Sequence, residues 1–420
     1  MRVLLINTSE QIGGAAIASH RLMEALKDNG IKAKLLVRDK QTDEVTVVPL
    51  RKSWRNLWNF LWERIVIWKA NRFRKHQLFA VDIANTGTDI TGLPEFQQAD
   101  VIHLHWVNQG MLSLKNLRAI LASGKPVVWT MHDMWPITGI CHHAETCRLY
   151  TTHCHTCPLL LRGHPKDLSY KVFEQKRQLY ATGRLTFIAC SRWLEGLARQ
   201  SALTQGHTVT NIPNPINIRV FRPLDRQQIR QRLGLPSDKY LLLFSSMKIT
   251  DKRKGIDYLV EACRLLSQNY PDFSRRLAVV VMGKASEEYN GLFPFPVFSL
   301  SYRSGEKEIA DVYNAVDLFV TPSLMENLPN TIMEAMACGI PCVGFHIGGI
   351  PQMIDHLHNG YVAQYKSADD LANGIFWSLN DGDYPRLSEE ARRKVVTNYS
   401  AAVIARQYIQ VYNQITGENE

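Results

Sequence analysis

A chain of 420 residues is too long for one ordinary hydrophobic core, so two domains are expected. Hydrophobic residues at 45% and charged residues at 21% match an ordinary soluble globular protein and exclude a fibrous or low-complexity chain. Lys and Arg number 49 against 39 acids, and the resulting net charge of +10 favours anionic partners: nucleotides, anionic lipid or nucleic acid.

The opening "MRVLLINTSEQIGG" has one Arg and an apolar run too short for a signal-peptide core. No run of about 18 apolar residues follows anywhere, so no transmembrane helix is expected. A cytoplasmic location with reduced thiols is the expectation, and clustered cysteines there point to metal rather than disulfides. "RVLLINT" reads as a buried strand and "SEQIGG" as a turn. "AAIASHRLMEALKDNG" reads as a helix stopping at Asn29-Gly30, and "IKAKLLV" as the next strand. Gly13 and Gly14 at a helix start offer backbone N–H groups to an anion, with a plain tight turn as the alternative reading.

Further strands are expected at "VIHLH" (101–105), "VVWTM" (127–131) and "TFIAC" (186–190), with helices between them. Such alternation implies a parallel sheet covered on both faces. "NIPNPINIRVFRP" (211–223), with three prolines, reads as a linker after a strand-like "TVTNI". The pattern then restarts with "YLLLFSS" (240–246), a helix near 256–268, "RLAVVVMG", a helix near 306–315, "DLFVTPS", a helix near 330–338 and "IPCVGF". The fold class is α/β: two Rossmann-like, doubly wound domains facing an interdomain cleft, with ligands expected outside the C-terminal ends of the strands. The expected boundaries are 1–212, carrying a Cys-rich insertion at 141–157, and 213–395, with a C-terminal helix over 396–420 packing back toward the first domain.

The most specific segment is "TPSLMENLPNTIMEAMACGIPCVGFHIGGIPQMI", 321–354. Glu326 follows a strand, "LPNT" opens a helix with Pro329 as a first-turn proline, and Glu334 lies on that helix. Free N–H groups at the helix start can take a diphosphate. The carboxylates can accept hydrogen bonds from sugar hydroxyls. Capping and surface charge are the alternative reading of an isolated acid pair at this spacing.

Together with "NTSEQIGGAA", "WTMHD", "IPNPIN" and "DKRKGIDYLVEA", this segment resembles the retaining glycosyltransferases of family 4, which have the GT-B fold. The resemblance covers nearly the whole chain and extends to bacterial exopolysaccharide and colanic acid biosynthesis enzymes, a subset of which carry similar Cys-rich insertions. It implies transfer of a hexose-type sugar from a UDP- or GDP-sugar to a glycan or lipid-linked acceptor in polysaccharide biosynthesis. It assigns the ribose hydroxyls to Glu334, the donor sugar to Glu326 and the donor diphosphate to Lys254. His132 corresponds to the family's active-site His facing the donor sugar, so His132, Lys254 and Glu326 are the expected catalytic residues. The donor site is expected to comprise Gly13, Gly14, Lys248, Arg253, Lys254 and the run Glu326, Asn327, Leu328, Pro329, Asn330, Thr331, with Glu334. Lys248 or Arg253 stands in for an Arg that the family usually places after a Gly, and Gln352 replaces a Glu in "GGIPQ". The resemblance further implies retention by a front-face step in which basic residues do a metal's work, so no catalytic cofactor is expected. Of His103 and His105, alternating on "VIHLHW", one is expected to face the cleft and one the interior.

"RKSWRNLWNFLWERIVIWKANRFRK" (51–75) has eight Lys or Arg and one acid, Glu63. Trp54, Leu57, Trp58, Leu61, Ile65 and Trp68 follow helical spacing. A basic, Trp-rimmed amphipathic helix can lie on an anionic membrane, here the inner face of the plasma membrane. A helix packing its tryptophans on the first domain is the competing reading. "CHHAETCRLYTTHCHTC" holds Cys141, Cys147, Cys154 and Cys157, and its closing C-x2-C is a common zinc chelate. Four thiolates would close the coordination sphere, which fits a structural zinc, while four free thiols or a disulfide pair are the alternatives. Competing functions are a sugar-nucleotide 2-epimerase of the same fold and a non-catalytic zinc-knuckle protein holding nucleic acid. Nucleic acid is not the expected partner, since the basic residues are not set in a nucleic-acid motif.

Overall fold

The structure is a computed structural model and describes residues 1–50 and 54–417. Two parallel sheets organise it. The first comprises β1 (Arg2–Ser9), β2 (Lys32–Asp39), β3 (Val47–Pro49), β4 (Val101–Leu104), β5 (Val127–Met131), β6 (Leu185–Ala189) and β7 (Thr208–Asn211), in the order β3-β2-β1-β4-β5-β6-β7. The second comprises β8 (Tyr240–Lys248), β9 (Leu277–Lys284), β10 (Val297–Leu300), β11 (Leu318–Thr321), β12 (Cys342–Phe345) and β13 (Gly360–Ala363), in the order β10-β9-β8-β11-β12-β13. Strand order reverses between β1 and β4 and again between β8 and β11. Loops leaving those strands diverge there and open a crevice at the C-terminal ends.

The long apolar runs became the central strands because helices cover both faces: Val3 to Ile6 and Leu241 to Phe244 are buried throughout. The strands that sequence reading omits are short and lie toward or at the sheet edges: β3, ending in Pro49, and β10 and β13. Three or four residues give periodicity nothing to register.

Two compact units result: Met1–Pro215 with the chain from Ile404 on, and Ile216–Val403. The expected single C-terminal helix is two helices, Tyr384–Asn398 and Ala401–Thr416. It breaks where Ile216 inserts a strand-like pairing: its N–H donates to the Tyr399 carbonyl at 2.9 Å and its carbonyl accepts from Ala401 at 3.0 Å. The last helix belongs to the first unit. Tyr412 Oη lies 2.7 Å from His103 Nδ1, and Tyr408 Oη lies 2.9 Å from Thr130 Oγ1. Residues 418–420 of the expected helix, and Arg51 and Lys52 of the basic segment, lie outside the described residues.

Helix Trp54–Ala70 reverses the usual amphipathic arrangement. Its buried residues are Asn59, Glu63, Arg64 and Ile67. Trp54, Leu57, Trp58, Leu61, Trp62, Ile65 and Trp68 are exposed, from 77% at Trp54 to 37% at Trp68. The competing reading, in which the tryptophans cover the first domain, is thereby corrected: the polar face does the packing. It can do so because its charges are paired. Arg64 binds Asp82 and lies 3.2 Å from Glu63, whose other oxygen accepts from the Ile83 and Ala84 amides at 2.8 and 2.7 Å.

Candidate active site

In the first unit, the C-terminal ends of β4 and β5 bring histidines together. His132 Nε2 lies 3.0 Å from His105 Nδ1, and its Nδ1 lies 3.5 Å from Cys190 Sγ. His103 is held by Tyr412 and by Thr130, the latter at 2.7 Å. Both His103 and His105 are buried, which corrects the expectation that only one faces the interior. Their side chains share a side because the two residues are separated by two along β4 and its exit. Burial lowers all three imidazoles, His103 to about 3 and His132 to about 4, so they are neutral near pH 7. A neutral His132 offers hydrogen bonds to a hydroxyl, not charge to a phosphate.

Beside it lies a charged network that the sequence did not announce. Asp133 Oδ2 accepts from Trp106 Nε1 at 2.9 Å and lies 2.7 Å from His142 Nδ1. His142 Nε2 lies 2.7 Å from Asp82, which binds Arg64. Although burial opposes its charge, the two carboxylates raise His142 to about 10, and His142 in turn helps lower Asp133 to about 2. His142 is therefore an imidazolium clamped between two carboxylates. One signal did exist: Asn59 and Glu63, four residues apart, lie opposite the Trp stripe, marking a polar face that needed partners.

The expected anion site at Gly13 and Gly14 is a helix start: Gly13 caps helix Gly14–Asp28 with φ 94°, in the left-handed region that favours glycine. No side chain caps that helix, and its first turn carries no acid.

In the second unit, the loop leaving β11 and the turn after β8 meet. Lys252–Lys254 form one 3-10 turn capped by Asp251, which also grips the Arg253 guanidinium at 3.0 and 2.7 Å. Lys254 Nζ is ion-paired with Glu326 Oε1, to which Ser323 Oγ also donates at 3.3 Å. Two glycines fix this geometry. At Gly255, φ 72°, a Cβ would lie 1.9 Å from the Pro322 carbonyl oxygen; at Gly348, φ 56°, it would lie 1.8 Å from that of Glu326. Neither contact admits a side chain, so Gly255 locks the Lys-bearing turn to the Glu-bearing loop, and Gly348 locks that loop to the segment leaving β12, backbone to backbone. Leu324 N–H donating to Arg253 O at 2.7 Å, and Gly349 N–H to Asn327 O at 2.7 Å, complete the clamp.

The loop runs into helix Asn330–Ala337. Pro329 is its N-cap, one position earlier than the first-turn place expected, and it offers no side-chain acceptor; the first turn carries no acid. Amide dipole and geometry there suit an anion. Glu334 is 6% exposed and accepts from Tyr313 Oη at 3.2 Å. Asn327, Leu328 and Pro329 are buried, so that stretch presents backbone more than side chain, whereas Asn330 and Thr331 are half-buried. Lys248 ends β8, exposed and in register with Lys284, and Arg253 turns to Asp251. Neither makes a contact with Glu326 like that of Lys254.

Residues 12–220 match the family model described as Glycosyltransferase Family 4, and 225–395 match that described as Glycosyl transferases group 1. The chain belongs to this glycosyltransferase family. It is 26% identical over 297 residues to a D-inositol 3-phosphate glycosyltransferase of Thermobispora bispora, covering 68% of this chain and 63% of that protein. It is 26% identical over 338 residues to the amylovoran biosynthesis glycosyltransferase AmsK of Erwinia amylovora, covering 76% and 70%. The chain thus spans under two thirds of the first of these curated relatives. Among solved structures, a sucrose-phosphate synthase from Thermosynechococcus elongatus aligns over 100% of both chains at TM-score 0.69 and 18% identity. Anabaena HepE, solved in complex with UDP-glucose, aligns over 99% of this chain and 100% of its own at TM-score 0.63 and 16% identity. WaaG, a glycosyltransferase of lipopolysaccharide biosynthesis, aligns over 99% and 100% at TM-score 0.60 and 14% identity. The chain has the GT-B fold of these neighbours.

No described helix of the chain is long and apolar enough to cross a membrane. Its Cys-rich stretch follows the β5 exit directly. Cys141 pairs with Val81 as an isolated bridge, Cys157 N–H donates to Asp167 at 2.7 Å, and all four cysteines are free thiols.

Proposed function

We propose that this glycosyltransferase moves a hexose-type sugar from a UDP- or GDP-sugar to a glycan or lipid-linked acceptor in polysaccharide biosynthesis, with retention at the anomeric carbon. The observation that carries the reading is the Lys254–Glu326 pair, locked by Gly255 and Gly348 on the loop that opens helix Asn330–Ala337. Two loops thereby bring together a cation, a carboxylate and the amides of a helix start. Cleaving the anomeric bond leaves an oxocarbenium-like sugar and adds negative charge to the diphosphate. Lys254 and the helix amides stabilise that leaving group where its charge develops. Glu326 and neutral His132 take sugar hydroxyls, and Glu334 takes the ribose. AmsK, a relative by sequence, is named for exopolysaccharide synthesis, and HepE, a neighbour by fold, binds UDP-glucose.

The exposed face of helix Trp54–Ala70 supports an anionic membrane surface as the place where a lipid-linked acceptor is met. Arg55, Lys69, Arg72, Arg74 and Lys75 are exposed around its tryptophans, while the segment's one acid, Glu63, is buried.

Incubation with UDP- and GDP-hexoses and a lipid-linked acceptor extract should release free nucleotide and form an α-linked product from an α-linked donor, seen as its anomeric proton signal. Lys254→Ala should lower turnover about a hundredfold or more. An epimerised sugar nucleotide without released nucleotide, or a product of inverted configuration, would contradict the proposal.

A further inference from the structure

One ring in the histidine row at the exits of β4 and β5 has no part in the proposed transfer, that of His105. The residue is 3% exposed and its backbone is tied on both sides. Its N–H donates to the Ile6 carbonyl at 2.9 Å, and its carbonyl accepts from Trp129 Nε1 at 3.0 Å. Its ring packs on two others, with centroids 4.3 Å from that of His103 and 5.3 Å from that of His132. His103 is itself anchored at both nitrogens, by Tyr412 and Thr130. The two nitrogens of His105 are not equivalent. Nδ1 lies 3.0 Å from His132 Nε2, whereas Nε2 is buried and has no hydrogen-bond partner among the described residues.

That asymmetry bears on where the protons sit. Two ring nitrogens facing each other at 3.0 Å have room for one proton between them, so the two rings are not both imidazolium. An imidazolium at His105 would also leave an N–H on Nε2 buried and unpaired. Burial, which lowers both rings, acts in the same direction. A neutral imidazole carries one N–H. On His105 Nε2 that N–H would be a buried donor with nothing to receive it, and orphaned buried donors are rarer than under-used acceptors. The arrangement without such a donor places the proton on His105 Nδ1, donated to His132 Nε2. His132 then carries its own proton on Nδ1, which lies 3.5 Å from Cys190 Sγ. Burial raises the Cys190 thiol, so it stays S–H, and its sulfur is a weak acceptor.

We propose that His105 is a positioning residue that fixes His132 as the Nδ1–H tautomer, so that His132 meets the donor sugar as a hydrogen-bond donor, its N–H passing from the Cys190 sulfur to a sugar hydroxyl oxygen. This rests on the reading in which His132 faces the donor sugar. Of the contacts of His132 to His105 and Cys190, the one to sulfur is the longer and weaker, so it is the one a hydroxyl displaces. No proton changes its atom in that exchange, and His132 acts as neither acid nor base.

The test uses the full chain labelled with 15N at histidine. Spectra correlating ring nitrogens with carbon-bound ring protons at pH 7 distinguish a protonated from a bare nitrogen. The signals lost in His132→Gln identify His132. In the unaltered protein His132 should show a protonated Nδ1 and a bare Nε2. His105→Leu, which removes the donor, should shift the His132 nitrogens toward the average of the two tautomers and lower kcat/KM for the nucleotide-sugar about fivefold. His105→Asn, whose amide NH2 reaches close to the place of Nδ1, should restore both the pattern and the turnover. A proton on His132 Nε2 in the unaltered protein, or an imidazolium there at pH 7, would overturn the proposal, as would a folded His105→Leu protein with unmoved nitrogens or undiminished turnover. The unaltered protein's spectrum decides the tautomer whether or not His105→Leu folds, and it needs no sugar transfer, so its failure is distinct from failure of the proposed reaction.

Discussion

At the scale of single residues, the first unit holds two kinds of histidine with opposite pH behaviour. His142 is raised to about 10 by Asp133 and Asp82. Its contribution to stability is complete below the unfolded histidine value of about 6.5 and is lost as pH rises toward 10. Asp133, lowered to about 2, contributes above about 4 and loses this as pH falls toward 2. His103 and His132, lowered by burial, act the other way: the unfolded chain takes their protons first, so stability falls between about pH 6.5 and 4. His142→Gln should therefore destabilise by about 3 kcal/mol at pH 6, in the range for breaking a buried pair. That difference should shrink steadily up to pH 10, as followed by denaturant unfolding. A difference independent of pH would show that His142 is not held as a cation.

At the scale of elements, helix Trp54–Ala70 is the informative case. Its spacing reads as amphipathic, and it is, but the solvent-facing side is the apolar one. Periodicity identifies two faces without saying which one meets the core. The deciding feature is pairing at a distance: Glu63 and Arg64 need Asp82 and the Ile83 and Ala84 amides, which no local window contains. Arg64→Ala should destabilise by about 3–5 kcal/mol, because it removes the guanidinium that two buried carboxylates share. Trp58→Ser with Trp62→Ser, removing a stacked pair whose ring centroids are 5.9 Å apart on the exposed face, should leave stability nearly unchanged. The same double variant should reduce retention on liposomes containing anionic lipid at low salt. Equal loss of the unaltered protein from neutral and anionic vesicles would rule out the membrane surface.

The rest of the element pattern divides along the same line. Long buried runs such as "RVLLINT" and "YLLLFSS" announce central parallel strands, and the loop around Glu326 was legible because its chemistry is compact in sequence. Short or edge strands, the break at Tyr399, and the Asp133–His142–Asp82 clamp were not legible. Each of these depends on a partner far along the chain: Ile216 for the break, and residues 82 and 64 for the clamp.

At the scale of the molecule, the second of two doubly wound units places its chemistry where strand order reverses, and the first places it one strand beyond that point. The first offers neutral His132 at the end of β5, and the second offers the Lys254–Glu326 lock and buried Glu334. The chain's last helix closes the first unit through Tyr408 and Tyr412, so two separate stretches of chain, Met1–Pro215 and the part from Ile404 on, build that unit. The central claim is that the loop from β11 into helix Asn330–Ala337 grips a nucleotide-sugar, with Glu334 on the ribose. The direct measurement is the shift in thermal midpoint with UDP-, GDP- and ADP-sugars, for the protein as it stands and for Glu334→Ala. One nucleotide class should raise the midpoint, and Glu334→Ala should abolish the rise while the variant remains folded; an undiminished shift in a folded Glu334→Ala protein would contradict ribose binding by Glu334.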